Sequence, residues 1–147
     1  MRVIFTDIDG VLNPHCKTKW SKSAILIYKQ ICQEYDLKPV ISSTWRINHT
    51  KEQLQKIFDD QGIEVEIYDY TPHIDQKDRG LEIKEWLNNN KVDNYVVIDD
   101  IVHNIPPHVD NIIKVRNWVG LTTEEYNEMK KISNSIETIF NDIIKNK

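Results

Sequence analysis

Short apolar runs alternate along the chain with longer stretches whose apolar residues recur at helical spacing. Val3 to Thr6 is a compact apolar run that ends at Asp7-Ile8-Asp9-Gly10 and predicts a first strand. From Ser21 to Tyr35, Ile25, Ile31 and Tyr35 fall on one face of a predicted helix that Ser21 or Ser23 would cap. Lys38 to Ser42 is short and β-branched and predicts a second strand. Lys51 to Asp60 carries Leu54, Ile57 and Phe58 at helical spacing, and Gly62 stops it. Glu64 to Tyr68 reads as a third strand, followed by a loop from Asp69 to Asp78 around Pro72. Leu81 to Asn88 predicts a helix with Ile83, Trp86 and Leu87 facing inward. Tyr95 to Ile98 is an unbroken apolar run, as in a strand buried on both faces. Beyond Pro106-Pro107, Asn111 to Val115 reads as a fifth strand. Thr122 to about Ile144 is an amphipathic helix, with Thr122 as cap and Glu125 as its box partner.

This alternation predicts an α/β fold: a doubly wound, parallel, five-stranded sheet flanked by helices, formed by residues 1–147 as one domain. In such sheets ligands sit beyond the carboxyl ends of the strands, where the strand order reverses. Three polar clusters stand at three such ends: Asp7/Asp9, Ser42/Ser43 and Asp99/Asp100. Either acidic pair alone would pass for a turn, since Asp is a common turn residue. Three clusters at three strand ends point to one shared site.

Two carboxylates leaving the end of a buried strand are costly unless something pairs with them. Gly10 permits a sharp turn and brings backbone N–H groups close to an anion. Carboxylates converging at a sheet mouth call for a divalent cation, and oxygen-only ligands favour Mg²⁺ over Zn²⁺.

Phe5-Thr6-Asp7-Ile8-Asp9-Gly10-Val11-Leu12-Asn13 resembles the first motif of the haloacid dehalogenase-like (HAD) superfamily. Ile41-Ser42-Ser43-Thr44-Trp45-Arg46 is similar to its second motif, and Val96-Val97-Ile98-Asp99-Asp100 to its fourth. Arg79 or Lys77 would fill the third, a lone basic residue. Ser-Thr-Trp-Arg together with Arg79-Gly80, Glu82-Ile83 and Trp86-Leu87 resembles a capless HAD branch found in RNA-repair proteins.

The resemblance implies a Rossmann-like HAD fold and a Mg²⁺-dependent phosphatase. Asp7 would be the covalent nucleophile that forms an aspartyl-phosphate, and Asp9 the general acid and base. Mg²⁺ would be held by Asp7, the Asp9 carbonyl and Asp100, with Asp99 behind it or bound through water. Ser43, or alternatively Ser42, would bond a phosphoryl oxygen. Gly10 and Thr44 would line the substrate. Arg79 or Lys77 would neutralise charge on the transferring group. Arg46 is expected to reach a substrate phosphate or to pair with a carboxylate, with Trp45 stacking on a base or packed on the sheet. Trp20, Trp86 and Trp118 read as packing residues, and the loop from Asn117 to Thr122 as the entry to the last helix. The segments Asn13 to Lys38 and Thr50 to Asp75 have no room for a cap. An open site admits phosphates on large molecules, and the resemblance to RNA-repair proteins, with Trp45 and Arg46, makes a nucleic-acid end the favoured substrate. A small ester, a nucleotide or a phosphoprotein is the alternative.

Composition narrows the picture only a little. Apolar residues make up 39% and charged residues 29%, with a net charge of −4, so the chain is neither disordered nor broadly basic. No apolar segment reaches membrane-spanning length and no secretory leader is evident. Cys16 and Cys32 are expected to be free thiols in a reducing cytoplasm. The five histidines, His15, His49, His73, His103 and His108, lack metal-ligand spacing and read as loop or surface residues, with His15 near the pocket mouth. No obligate protein partner is evident. A phospho-receiver module would need a lone acceptor Asp after a central strand. A degenerate HAD-fold binding protein would have lost one of the acidic groups. A phosphotransferase would need a cap to shield its intermediate from water.

Overall fold

The computed structural model describes residues 1–14, 19–74, 78–102, 105–106 and 108–145, with side chains up to residue 134. The elements in chain order are β1 (Arg2–Thr6), α1 (Lys22–Glu34), β2 (Leu37–Ile41), α2 (Trp45–Asn48), α3 (Lys51–Asp60), β3 (Asp69–Tyr70), α4 (Arg79–Asn89), β4 (Asn94–Asp99), β5 (Ile112–Lys114) and α5 (Thr123–Lys145). The five strands are parallel, in the order β3-β2-β1-β4-β5. The chain winds outward from β1 through β2 to β3, then returns to the other side of β1 for β4 and β5. The order therefore reverses between β1 and β4, where a ligand site is expected. The stretch between β2 and β3 holds only α2 and α3, so no cap domain is inserted there.

Side chains on β1 alternate between two cores, as the period of a strand requires. Ile4 faces one layer with Ile41, Ile98 and Ile113, where Tyr28, Ile31, Leu54 and Phe58 of α1 and α3 pack. Val3 and Phe5 face the other, against Ile83 and Trp86 of α4. Phe5 meets the Trp86 ring edge-on at 5.5 Å, and the Trp86 Nε1 donates to Asp69 Oδ2 at 2.7 Å.

The helix starts follow their sequence signals. Ser21 Oγ accepts from Ala24 N, so Ser21 rather than Ser23 caps α1. Thr50 and Gln53 form a reciprocal capping box at α3. Gly62, with φ +77°, follows the C-cap of α3 in the left-handed region. At α5, Thr122 Oγ1 accepts from Glu124 N and donates to Glu125 Oε2 at 2.7 Å.

Three expectations need correction. The third strand is Asp69–Tyr70 rather than Glu64 to Tyr68, and so takes the first two residues of the expected loop. Tyr68 N donates to Pro39 O at 2.8 Å, but Pro39 has no N–H with which to extend the ladder backward. Upstream, Ile67 N is bonded by the Gln55 side chain and Glu64 adopts φ +54°. Second, the four-residue α2 was not expected. Third, Trp118 is not packed; it is 59% exposed. Trp20 and Trp86 are buried as expected, and Cys32 is a buried free thiol. Lys77, His15, Cys16, His103 and Pro107 lie outside the described residues.

Phe58 is fully buried and its ring meets those of Trp20 and Tyr28. Phe58→Ala is expected to cost about 3–5 kcal/mol. The check is the urea midpoint at unchanged m-value; a loss under about 1 kcal/mol would contradict this packing.

Candidate active site

β1 and β4 pair in register with Thr6 opposite Ile98, so the residues that follow, Asp7 and Asp99, emerge side by side. Asp7 N extends the ladder to Ile98 O at 3.2 Å. Asp100 completes a cluster: Asp7, Asp99 and Asp100 each offer a carboxylate oxygen within 4.8 Å of the others. Asp7 is 4% exposed and Asp99 fully buried.

One guanidinium faces this group. Arg79, the first residue of α4, places Nη1 2.6 Å from Asp99 Oδ2 and 3.4 Å from Asp7 Oδ1. The other Asp99 oxygen accepts from Ile101 N at 2.9 Å, so both its oxygens are engaged. Burial holds the Asp7 carboxyl well above its ordinary range; Asp99 pushes it the same way and Arg79 opposes. Burial also raises Asp99, against the pull of Arg79. For Arg79 burial disfavours the charge, but Asp7 and Asp99 outweigh it and hold the group above its ordinary value. Among the described residues, one cation is thus set against three crowded carboxylates. An all-oxygen cluster short of positive charge fits a hard divalent cation such as Mg²⁺.

Gly10, at φ +81°, is needed here for space as well as conformation: a Cβ would collide with the Asp100 carboxylate and lie 3.0 Å from Asn117 Cβ. The loop carrying Asn117 is also tied to the first motif by Leu121 N, which donates to Val11 O at 3.0 Å.

Asp9 contributes no carboxylate to the cluster of three. Its Oδ1 accepts from Asn13 Nδ2 at 2.9 Å and from Trp45 Nε1 at 3.0 Å. Asn13 is itself fixed, since its Oδ1 accepts from Gly10 N at 3.2 Å.

The β2 loop contributes less directly. Ser42 N donates to Thr6 O at 3.1 Å, which ties this loop to the end of β1. Ser42 Oγ is buried with no hydrogen-bond partner among the described residues. Ser43 Oγ accepts from Trp45 N at 3.2 Å, and Thr44 is exposed.

Arg46 takes the second of its two expected roles, pairing with a carboxylate inside the protein. Its Nε donates to Thr71 O, Nη1 to Ser42 O and Ser43 O, and Nη2 to Pro72 O and Glu82 Oε2. All of its donating nitrogens are thus engaged within the protein. The Arg46 and Glu82 side chains are 4% and 6% exposed, and the pair is 2.8 Å apart. The guanidinium joins the β2 loop, the segment after β3, and the helix that carries Arg79.

The family model for the HAD domain in Swiss Army Knife RNA repair proteins matches residues 3–126. The chain belongs to that family. No curated protein and no solved structure matches it. The HAD domain is thus established by its motifs, its sheet order and this match, and its cluster of buried Asp7 and Asp99 with half-buried Asp100 accords with a HAD active site. No described helix is long and apolar enough to cross a membrane.

Reasoning from the sequence missed the parts played by Asn13, Glu82 and the Trp45 indole N–H. Glu82 carried a signal: it stands four residues before Trp86 on α4, on the face of a buried tryptophan, where a carboxylate needs a partner.

Two outcomes follow for the metal-free protein. Because Asp7 is raised, its ionisation costs stability as pH rises above the ordinary carboxylate range. Asp7→Asn is therefore expected to raise the thermal midpoint by a few degrees at neutral pH, and the gain should vanish toward pH 4 as Asp7 is protonated. A lower midpoint at neutral pH would contradict the crowding. Glu82→Ala strands the Arg46 charge and is expected to cost about 3–5 kcal/mol in chemical denaturation. A loss below about 1 kcal/mol would contradict this buried pair.

Proposed function

We propose that this HAD domain is a Mg²⁺-dependent phosphohydrolase that removes a terminal phosphate from a nucleic-acid end through an aspartyl-phosphate on Asp7. The observation that carries the reading is the Asp7 carboxylate. It is buried at the strand-order switch against Asp99, Asp100 and Arg79, with Asp9 two residues on.

Asp7 attacks phosphorus in line, and a carboxylate–phosphorus bond forms as the ester P–O bond breaks. The bonding pair leaves with the ester oxygen, which takes a proton from Asp9. Asp9, now ionised, accepts a proton from the water that attacks phosphorus, and the Asp7–phosphorus bond breaks to release inorganic phosphate. Asp7, Asp100 and the Asp9 carbonyl would hold Mg²⁺, with Asp99 behind because its oxygens are engaged by Arg79 and Ile101 N. When bound, the ion supplies positive charge that offsets repulsion between Asp7 and the incoming phosphate. Arg79 adds charge from the α4 side. Ser43 is the preferred candidate for a phosphoryl oxygen, because its Oγ accepts from Trp45 N and so keeps its proton for donation; Ser42 Oγ, buried without a hydrogen-bond partner among the described residues, is the alternative. Gly10 and Thr44 line the approach, while Arg46 works from behind.

A nucleic-acid end is favoured over a small ester or a phosphoprotein on two grounds: the family's occurrence in RNA repair proteins and the lack of a cap over the site. The test is phosphate release with Mg²⁺ and with EDTA. The substrates are oligonucleotides phosphorylated at either end, free nucleotides, a phosphopeptide and an aryl phosphate. Release from the oligonucleotides is expected to need Mg²⁺ and to be lost in Asp7→Asn. Asp9→Asn is expected to slow it by about 10²–10⁴-fold. Release that persists in EDTA or in Asp7→Asn would refute the mechanism, and preference for the phosphopeptide would refute the substrate class.

A further inference from the structure

Among the described residues, the side-chain donors to the Asp9 carboxylate are both neutral. Two N–H groups converge on a single oxygen, Oδ1: the Asn13 amide at 2.9 Å and the Trp45 indole at 3.0 Å. An oxygen that accepts two N–H bonds is a poor place for a proton, so a protonated Asp9 carries it on Oδ2. The two donors also fix the carboxyl plane. They come from different parts of the chain, Asn13 from the same loop as Asp9 and Trp45 from α2, 36 residues on.

Trp45 is anchored in turn. Its ring stacks on His49 at 5.3 Å and 17°, and meets Trp20 edge-on at 5.5 Å. Its backbone N–H donates to Ser43 Oγ at 3.2 Å. One residue therefore bonds both the hydroxyl assigned to the phosphoryl group and the carboxyl assigned to proton transfer.

We infer that Trp45 is a positioning residue for Asp9: its indole N–H selects the Asp9 oxygen that carries the proton and aims it at the leaving ester oxygen. This rests on the reading of Asp9 as general acid. It gives Trp45 a role in proton transfer, in place of stacking on a base, and explains why the ring is held on the protein side by two aromatic partners.

The consequence is specific to the ester being cleaved. kcat/KM reports steps up to departure of the leaving group. An alkoxide leaving from a nucleotide sugar needs its proton, whereas a dinitrophenolate leaves without one. Trp45→Phe keeps a ring for Trp20 and His49 and removes only the donor. It is expected to lower kcat/KM for a phosphorylated oligonucleotide by about tenfold or more, the size of one hydrogen bond to a charged group, and to leave kcat/KM for dinitrophenyl phosphate within about twofold. In an Asp9→Asn background the same change should add nothing, because the group it acts through is gone. If Trp45→Phe does not fold by circular dichroism, benzothienylalanine at position 45 keeps the ring shape without the N–H and takes its place.

Equal losses on both esters, no loss on either, or a full additional loss in the Asp9→Asn background would each overturn the role of Trp45. Wild-type activity abolished by Asp7→Asn would still stand in all three cases. Wild-type protein that releases no phosphate from either ester would instead overturn the phosphohydrolase reading, and this inference with it.

Discussion

Like charge crowded into a buried place is the constraint on which this structure turns. Asp7, Asp99 and Asp100 bring carboxylate oxygens within 4.8 Å of one another at the end of the two central strands. The register of β1 against β4 makes this unavoidable, because Thr6 pairs with Ile98 and the acidic residues come next. Three devices around the cluster follow from it. Arg79 is set at the start of α4 so that one guanidinium reaches both Asp7 and Asp99. Gly10 keeps a side chain out of the space that Asp100 occupies. Arg46 and Glu82, out of contact with the cluster, bind the β2 loop and the segment after β3 to the same helix that delivers Arg79. The fold thus holds a charge arrangement that is unfavourable alone and that a hard cation would complement.

Asp9 stands apart from this crowding. Its side-chain partners among the described residues are an amide and an indole, which carry no charge. Two carboxylates two residues apart thereby acquire different surroundings, one packed against acids and a guanidinium, the other pinned by neutral donors. Such divergence is how one short motif can supply both a nucleophile and a proton carrier.

Much of this was legible in the sequence because it rests on periodicity and on residues at strand ends. The unbroken run Tyr95 to Ile98 marked the buried β4, and α3 was placed at its full bounds by Leu54, Ile57, Phe58 and Gly62. The three acidic residues of the cluster and Arg79 were visible because each stands beside such an element. What stayed hidden depends on pairing across the fold. β3 shrank to Asp69–Tyr70 because Pro39, on the neighbouring strand, cannot donate to the earlier residues. The sequence leaves Arg46 open between a phosphate and a carboxylate, and only the fold shows that Glu82, 36 residues away, is its partner. The Trp45 bond to Asp9 spans as many residues, and nothing in the local pattern announces it.

The proposed mechanism requires a covalent bond from phosphorus to one Asp7 oxygen, so the most direct measurement is to look for that bond. Asp9→Asn protein would be mixed with Mg²⁺ and a phosphorylated oligonucleotide, quenched in acid, and its peptides weighed. A phosphoryl group on Asp7 is the predicted result, and it should be absent when EDTA replaces Mg²⁺. Phosphate released by the wild-type protein with no adduct on Asp7, or with the adduct on another residue, would contradict it.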